Sequence, residues 1–156
     1  MMRHSSCTPY GQSRRFIRSR HAAFGTMSRY LDMHSESDWQ FRGSHLFGEM
    51  YDISSEVLDD EEFLKQALVN AIPAGGATVC SVQSKKFEPV GVTVLTLLAE
   101  SHASIHTYPE RNALFLDIFT CGDCEPRKIF DHFASALAAR RYSVKQIIRG
   151  VEGDLK

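Results

Sequence analysis

A chain of 156 residues with 43% hydrophobic and 24% charged side chains holds enough apolar material for one core and too little for two. Its net charge of -1 removes the electrostatic case for nucleic acid; its longest strongly apolar run, 90–99, is interrupted by Gly91, Thr93 and Thr96 and falls far short of the ~20 residues of a bilayer span, so no membrane crossing is expected. The four cysteines, Cys7, Cys80, Cys121 and Cys124, are too few and too scattered for a disulfide-stapled secreted fold, which points to a reducing, cytoplasmic setting.

In chain order, residues 1–31 come first, with six arginines, five serines and no acid. That composition fits an organelle transit peptide, but a disordered basic tail, or an upstream start codon with Met27 or Met33 as the alternative start, is the favoured reading. The polar stretch 32–38 reads as a linker, so 1–42 is expected to be a dispensable extension and 43–156 the folded domain.

Regular signals begin at Gly43. Residues 43–51 read as a strand, and Asp59-Asp60-Glu61-Glu62 offers an acidic helix start that suits the helix dipole. Phe63, Leu64, Ala67, Leu68 and Ala71 recur at helical spacing until Pro73 and Gly75-Gly76 stop them. Residues 77–84 alternate and 90–98 form a β-branched apolar run, with the turn-like 85–89 between. A short extended piece at 104–107 and an alternating strand at 113–120 follow. Pro126 suits a helix start, Ile129, Phe130, Phe133, Leu137 and Ala138 line one face up to Arg140-Arg141, and 142–149 closes as a strand. Hairpins plus two helices predict an α+β domain: a two-layer sandwich whose mainly antiparallel sheet carries both helices on one face.

The chemistry concentrates in Glu100-Ser101-His102-Ala103-Ser104-Ile105-His106-Thr107-Tyr108-Pro109-Glu110 and in Phe119-Thr120-Cys121-Gly122-Asp123. A hydroxyl, an imidazole and a thiol thus fall within 21 residues, while the chain has no nucleotide-binding glycine loop, no HExxH and no GxSxG. A serine hydroxyl can attack the carbonyl before it and convert the amide to an ester, which elimination at Cα then breaks. An imidazole, with an ordinary pKa of about 6.5, exchanges protons near neutrality. Taken singly, each residue has a plainer role: Glu100-Ser101 as a surface pair, His106 as a packed ring, Cys121 as a small apolar filler, and Phe87, Tyr108 and Glu110 as packing around Pro109. Cys121-Gly122-Asp123-Cys124 invites a redox or zinc reading, but with no second cysteine pair and no spaced histidines no metal is expected.

Together these segments resemble the self-cleavage and catalytic segments of the prokaryotic-type S-adenosylmethionine decarboxylases. The resemblance runs over about 43–149, includes Phe87-Glu88-Pro89-Val90-Gly91-Val92-Thr93, and is densest at 100–110 and 119–123. It implies a proenzyme that cuts between Glu100 and Ser101 and turns Ser101 into a covalent pyruvoyl cofactor, which forms a Schiff base with the substrate amine. It implies that His106 moves the processing proton, with Thr93 supplying a hydroxyl where relatives usually carry serine. Cys121 becomes the proton donor in decarboxylation. Phe87 and Tyr108, the latter where tryptophan is common, would sandwich adenine, and Glu110 would hold the ribose. His102 follows the pattern without an assigned role. The implied product supplies the aminopropyl group for spermidine, and the implied assembly is a homodimer of two-chain protomers. A pyruvoyl-dependent arginine or ornithine decarboxylase of the same fold, or a catalytically dead regulatory paralogue, are the alternatives.

Overall fold

The computed structural model describes residues 41–99 and 101–150; Glu100 and all of the expected extension except Phe41 and Arg42 lie outside the described residues. Six strands, β1 (Gly43–Tyr51), β2 (Val79–Lys86), β3 (Val92–Leu98), β4 (Ser101–Tyr108), β5 (Ala113–Cys121) and β6 (Arg141–Arg149), form one sheet in the order β2-β3-β4-β5-β1-β6. Every neighbouring pair is antiparallel. Helices α1 (Ser55–Leu58), α2 (Glu61–Ala71) and α3 (Pro126–Ala136) complete the domain.

The period-2 alternation of the strands decides which face the helices cover. Leu46 and Met50 of β1, Val92, Val94 and Leu98 of β3, Ala103 and Ile105 of β4, and Leu114, Leu116 and Ile118 of β5 are buried with Leu64 and Leu68 of α2 and with Ile129, Phe130 and Phe133 of α3. The expected two-layer α+β sandwich is the observed one. No helix among the described residues is long and apolar enough to cross a membrane.

The acidic helix start is resolved into two caps. The Asp60 carboxylate accepts the Phe63 N–H at 3.0 Å and begins α2, while Ser54 Oγ accepts the Val57 N–H at 3.3 Å and begins the single turn of α1, which the sequence pattern did not announce. Each such cap contributes about 1 kcal/mol. The first hairpin is shifted toward the C-terminus relative to expectation: Lys85 pairs with Thr93 and Lys86 with Val92, so the turn covers Phe87 to Gly91. β4 runs from Ser101 rather than from 104, because pairing with β3 on one side and β5 on the other overrides its poor β-formers. α3 stops before the arginine pair: Ala138 adopts φ +52° and the Ala139 N–H reaches back to Ala134 O at 2.9 Å, a reversal that closes the helix.

β6 lies so close to β1 that a Cβ on Gly48 would stand 2.2 Å from the Ser143 carbonyl oxygen. Gly48→Ala is therefore expected to push β6 off the sheet edge and cost about 1–3 kcal/mol, read as a lower denaturant midpoint; an unchanged midpoint would contradict that close approach.

Candidate active site

One cluster forms where β4 begins and β5 ends. Ser101 is the first residue of β4, nearly buried, and alternates with Ala103, Ile105 and Thr107 on the helix-covered side. Its Oγ accepts the backbone N–H of Cys121 at 3.1 Å. Cys121 closes β5 in the alternate set, with Phe115, Asp117 and Phe119 on the open face, and remains half-buried. Cys124 packs against the core instead.

A second cluster occupies the open face at the other end of β4. The β3–β4 register sets Thr93 directly opposite His106, and Thr93 Oγ1 is hydrogen-bonded to His106 Nδ1. The His106 ring has aromatic neighbours on two sides, Tyr108 at 5.0 Å and Phe87 at 6.1 Å between centroids, and Tyr108 is itself edge-on to Phe115 at 5.4 Å. Phe87 is 41% exposed, so a ring face is available to a flat ligand. Glu110 is exposed in the 3-10 turn Pro109–Arg111 that follows β4, which Asn112 ends at φ +50°. Thr93, His106, Phe87 and Tyr108 thus come together, with Glu110 two residues beyond Tyr108.

The two clusters do not meet within one chain. Ser101 and His106 are five residues apart on one strand, about 16 Å at ~3.3 Å per residue, and they alternate onto opposite faces. Nearness in the sequence becomes separation because β4 is extended throughout. Between the clusters the open face exposes Leu95 (52%), Leu97 (57%), Phe115 (47%) and Ile147 (47%), and carries a His45–Asp117 pair at 3.4 Å. His102, also on this face, stacks obliquely on Phe119 at 5.7 Å.

Two further residues, which sequence reasoning passed over, tie the second cluster to the helical layer. Asp59, read from the sequence only as a helix-start acid, accepts the Gly91 N–H at 2.9 Å and pairs with Lys86 at 2.8 Å. Buried Thr107 accepts the Val92 N–H and donates to Leu58 O, each at 2.8 Å. Neither interaction has a sequence signal, because its partners are 15 to 49 positions apart.

The Lys86 ammonium, and after it the Gly91 N–H, hold the Asp59 carboxyl below its ordinary range, and Asp59 in turn raises the Lys86 ammonium. A depressed folded-state pKa gives a contribution that is full above the unfolded value of about 3.9 and disappears as pH falls through the lower folded value. Asp59→Asn should therefore flatten the acid limb of the stability–pH curve below about pH 4; thermal melts that keep the wild-type slope there would remove Asp59 from the acid response.

The family of S-adenosylmethionine decarboxylases matches residues 44–150. A proenzyme of S-adenosylmethionine decarboxylase from Brevibacillus brevis is 44% identical over 115 residues, 73% of this chain and 86% of that protein. One from Methanococcus maripaludis is 38% identical over 117 residues, 73% of this chain and 96% of that protein. The crystal structure of the adenosylmethionine decarboxylase from Aquifex aeolicus VF5 superposes with a TM-score of 0.64 at 28% identity, over 75% of this chain and 98% of that one. With the sheet, the serine at the head of β4 and the match over most of the chain in agreement, the chain belongs to the S-adenosylmethionine decarboxylase family.

Proposed function

We propose that this protein is a self-processing, pyruvoyl-dependent decarboxylase that converts S-adenosylmethionine to its decarboxylated form for spermidine synthesis. The family and relatives favour S-adenosylmethionine over arginine or ornithine, and an enzyme over an inactive paralogue. The observation that carries the mechanism is the Ser101 Oγ to Cys121 N–H hydrogen bond, which joins the cofactor's precursor to the segment bearing the proton donor.

In processing, Ser101 Oγ attacks the Glu100 carbonyl carbon, an ester replaces the amide, and the Ser101 nitrogen becomes an amine. Loss of the Ser101 Cα proton then expels the Glu100 carboxylate, giving residues 1–100 and 101–156; water releases ammonia from the remaining dehydroalanine. The fit of the residues is physical: Ser101 is held by a backbone donor, nearly buried, at the head of a strand. The pyruvoyl group so formed supplies the electron sink for loss of CO2. Cys121, a free cysteine, then delivers a proton to the substrate's Cα, which requires it to stay a thiol. Phe87 and Tyr108 bind the adenine face and Glu110 the ribose hydroxyls.

His106 and Thr93 are ~16 Å along the strand from Ser101 of the same chain and serve processing only if a second copy supplies them. The exposed apolar open face offers the surface on which two copies can stack, each placing its Thr93–His106 end over the other's Cys121, the open-face residue whose backbone N–H holds Ser101 Oγ at the head of β4. The reading is therefore a homodimer of two-chain protomers with composite sites.

Ser101→Ala is expected to remain a single chain by intact mass and to be inactive. Cys121→Ala is expected to be cut normally and to lose about 10²–10⁴-fold in turnover; near wild-type decarboxylation would take Cys121 out of the mechanism. Phe87→Ala and Tyr108→Ala should each weaken S-adenosylmethionine use by about 1–3 kcal/mol.

Co-expression decides the dimer. Neither Ser101→Ala nor His106→Ala chains should process alone, yet together the His106→Ala chain should be cut, since its Ser101 meets an intact His106 across the interface. Absence of cleavage in the mixed dimer would place His106 and Ser101 of one chain in the same site.

A further inference from the structure

We propose that Asp59 is a positioning residue for substrate binding: its carboxylate bridges Gly91 and Lys86 and so fixes the hairpin turn that presents Phe87 beside His106. This inference rests on the reading above that Phe87 stacks on adenine.

The turn has little of its own to hold it. Its closing hydrogen bond, Phe87 N–H to Gly91 O at 2.8 Å, fixes the ends of a five-residue excursion in which Phe87 and Val90 are each 41% exposed. Gly91 adopts φ +110°, open to glycine and strained for other residues, and a Cβ there would lie 3.3 Å from the Thr107 carbonyl oxygen. That conformation turns the Gly91 N–H toward Asp59, which accepts it at 2.9 Å. On the near side of the turn Lys86, immediately before Phe87, is gripped twice by the same residue, by the carboxylate at 2.8 Å and by the carbonyl oxygen at 2.9 Å. One side chain thus holds the residue before the turn and the last residue of it.

The anchor behind Asp59 is rigid. Asp59 caps the C-terminal end of α1, its N–H bonded to Ser55 O at 3.0 Å. Leu58, the preceding residue, is fully buried and its carbonyl accepts Thr107 Oγ1 at 2.8 Å. Thr107 is the neighbour of His106 on β4, so α1 fixes both the strand that carries the imidazole and the turn that carries Phe87. The spacing of 6.1 Å between the Phe87 and His106 rings is then set from the end of α1.

Steady-state kinetics of the full chain test this, with intact mass to follow cleavage and thermal melts to follow folding. Asp59→Ala should be cut completely and should raise KM for S-adenosylmethionine about tenfold, as expected for loss of a charge-assisted anchor, with kcat reduced less than KM rises. Asp59→Asn keeps an oxygen for the Gly91 N–H and should regain most of that loss. In a Phe87→Ala background Asp59→Ala should add less than about twofold, because the side chain it positions is gone. Should Asp59→Ala fail to fold, Asp59→Ser, polar but too short to bridge Gly91 and Lys86, takes its place under the same KM criterion. A purely structural role would lower Tm and leave the KM of the folded protein unchanged. An unchanged KM in Asp59→Ala beside a raised KM in Phe87→Ala overturns the inference, as does a full additional KM rise in the double variant. An unchanged KM in Phe87→Ala overturns the stacking reading itself.

Discussion

The two-sided pairing of β4 is the constraint on which the rest of the structure depends. β3 on one side and β5 on the other hold the segment from Ser101 to Tyr108 fully extended. That extension, with the registers on either side, sets Thr93 opposite His106, brings the end of β5 against Ser101, and distributes the candidate site residues over both faces of the sheet.

If the segment beginning at Ser101 cuts itself as proposed, its place in a central strand has a chemical advantage. The backbone donor at Cys121 fixes the Ser101 hydroxyl, so its orientation costs little at the moment of reaction. The core beneath, with Phe130 and Phe133 fully buried against the sheet, keeps the strand registered by packing that does not depend on the scissile bond. Both fragments of a cut at that bond would contribute strands to one sheet, β1 to β3 before it and β4 to β6 after it, which gives a physical reason for a processed protein to stay assembled.

The open face follows the opposite logic. Its polar and apolar residues mix, with Leu95, Leu97, Phe115 and Ile147 around the His45–Asp117 pair, as expected of a surface that meets another protein surface rather than a core. The helical layer reaches the second cluster from the edge, where Asp59 holds the turn before β3 and the Leu58 carbonyl holds Thr107 of β4.

Most of the architecture was legible in the residues themselves. Alternation in 113–120, helical spacing from Phe63 to Ala71 and the Pro126 start determine two-layer packing, because these periods state which side of each element must leave water. The segment around Ser101, His106 and Cys121 pointed to a chemistry only through its resemblance to the family, since each residue taken singly has a plainer role. What periodicity could not convey was distance: 101 and 106 are neighbours in sequence, and only the extended strand made them ~16 Å apart and faced them oppositely. Nor could it reveal Asp59 reaching Gly91 or Thr107 reaching Leu58, 32 and 49 positions away, because a hydrogen bond between distant residues exists only once the sheet and helices have brought them together. The sequence by itself determined the fold class and singled out the candidate site residues; the tertiary structure decided which of them can meet, because strand direction and register, not spacing along the chain, set the distances between side chains.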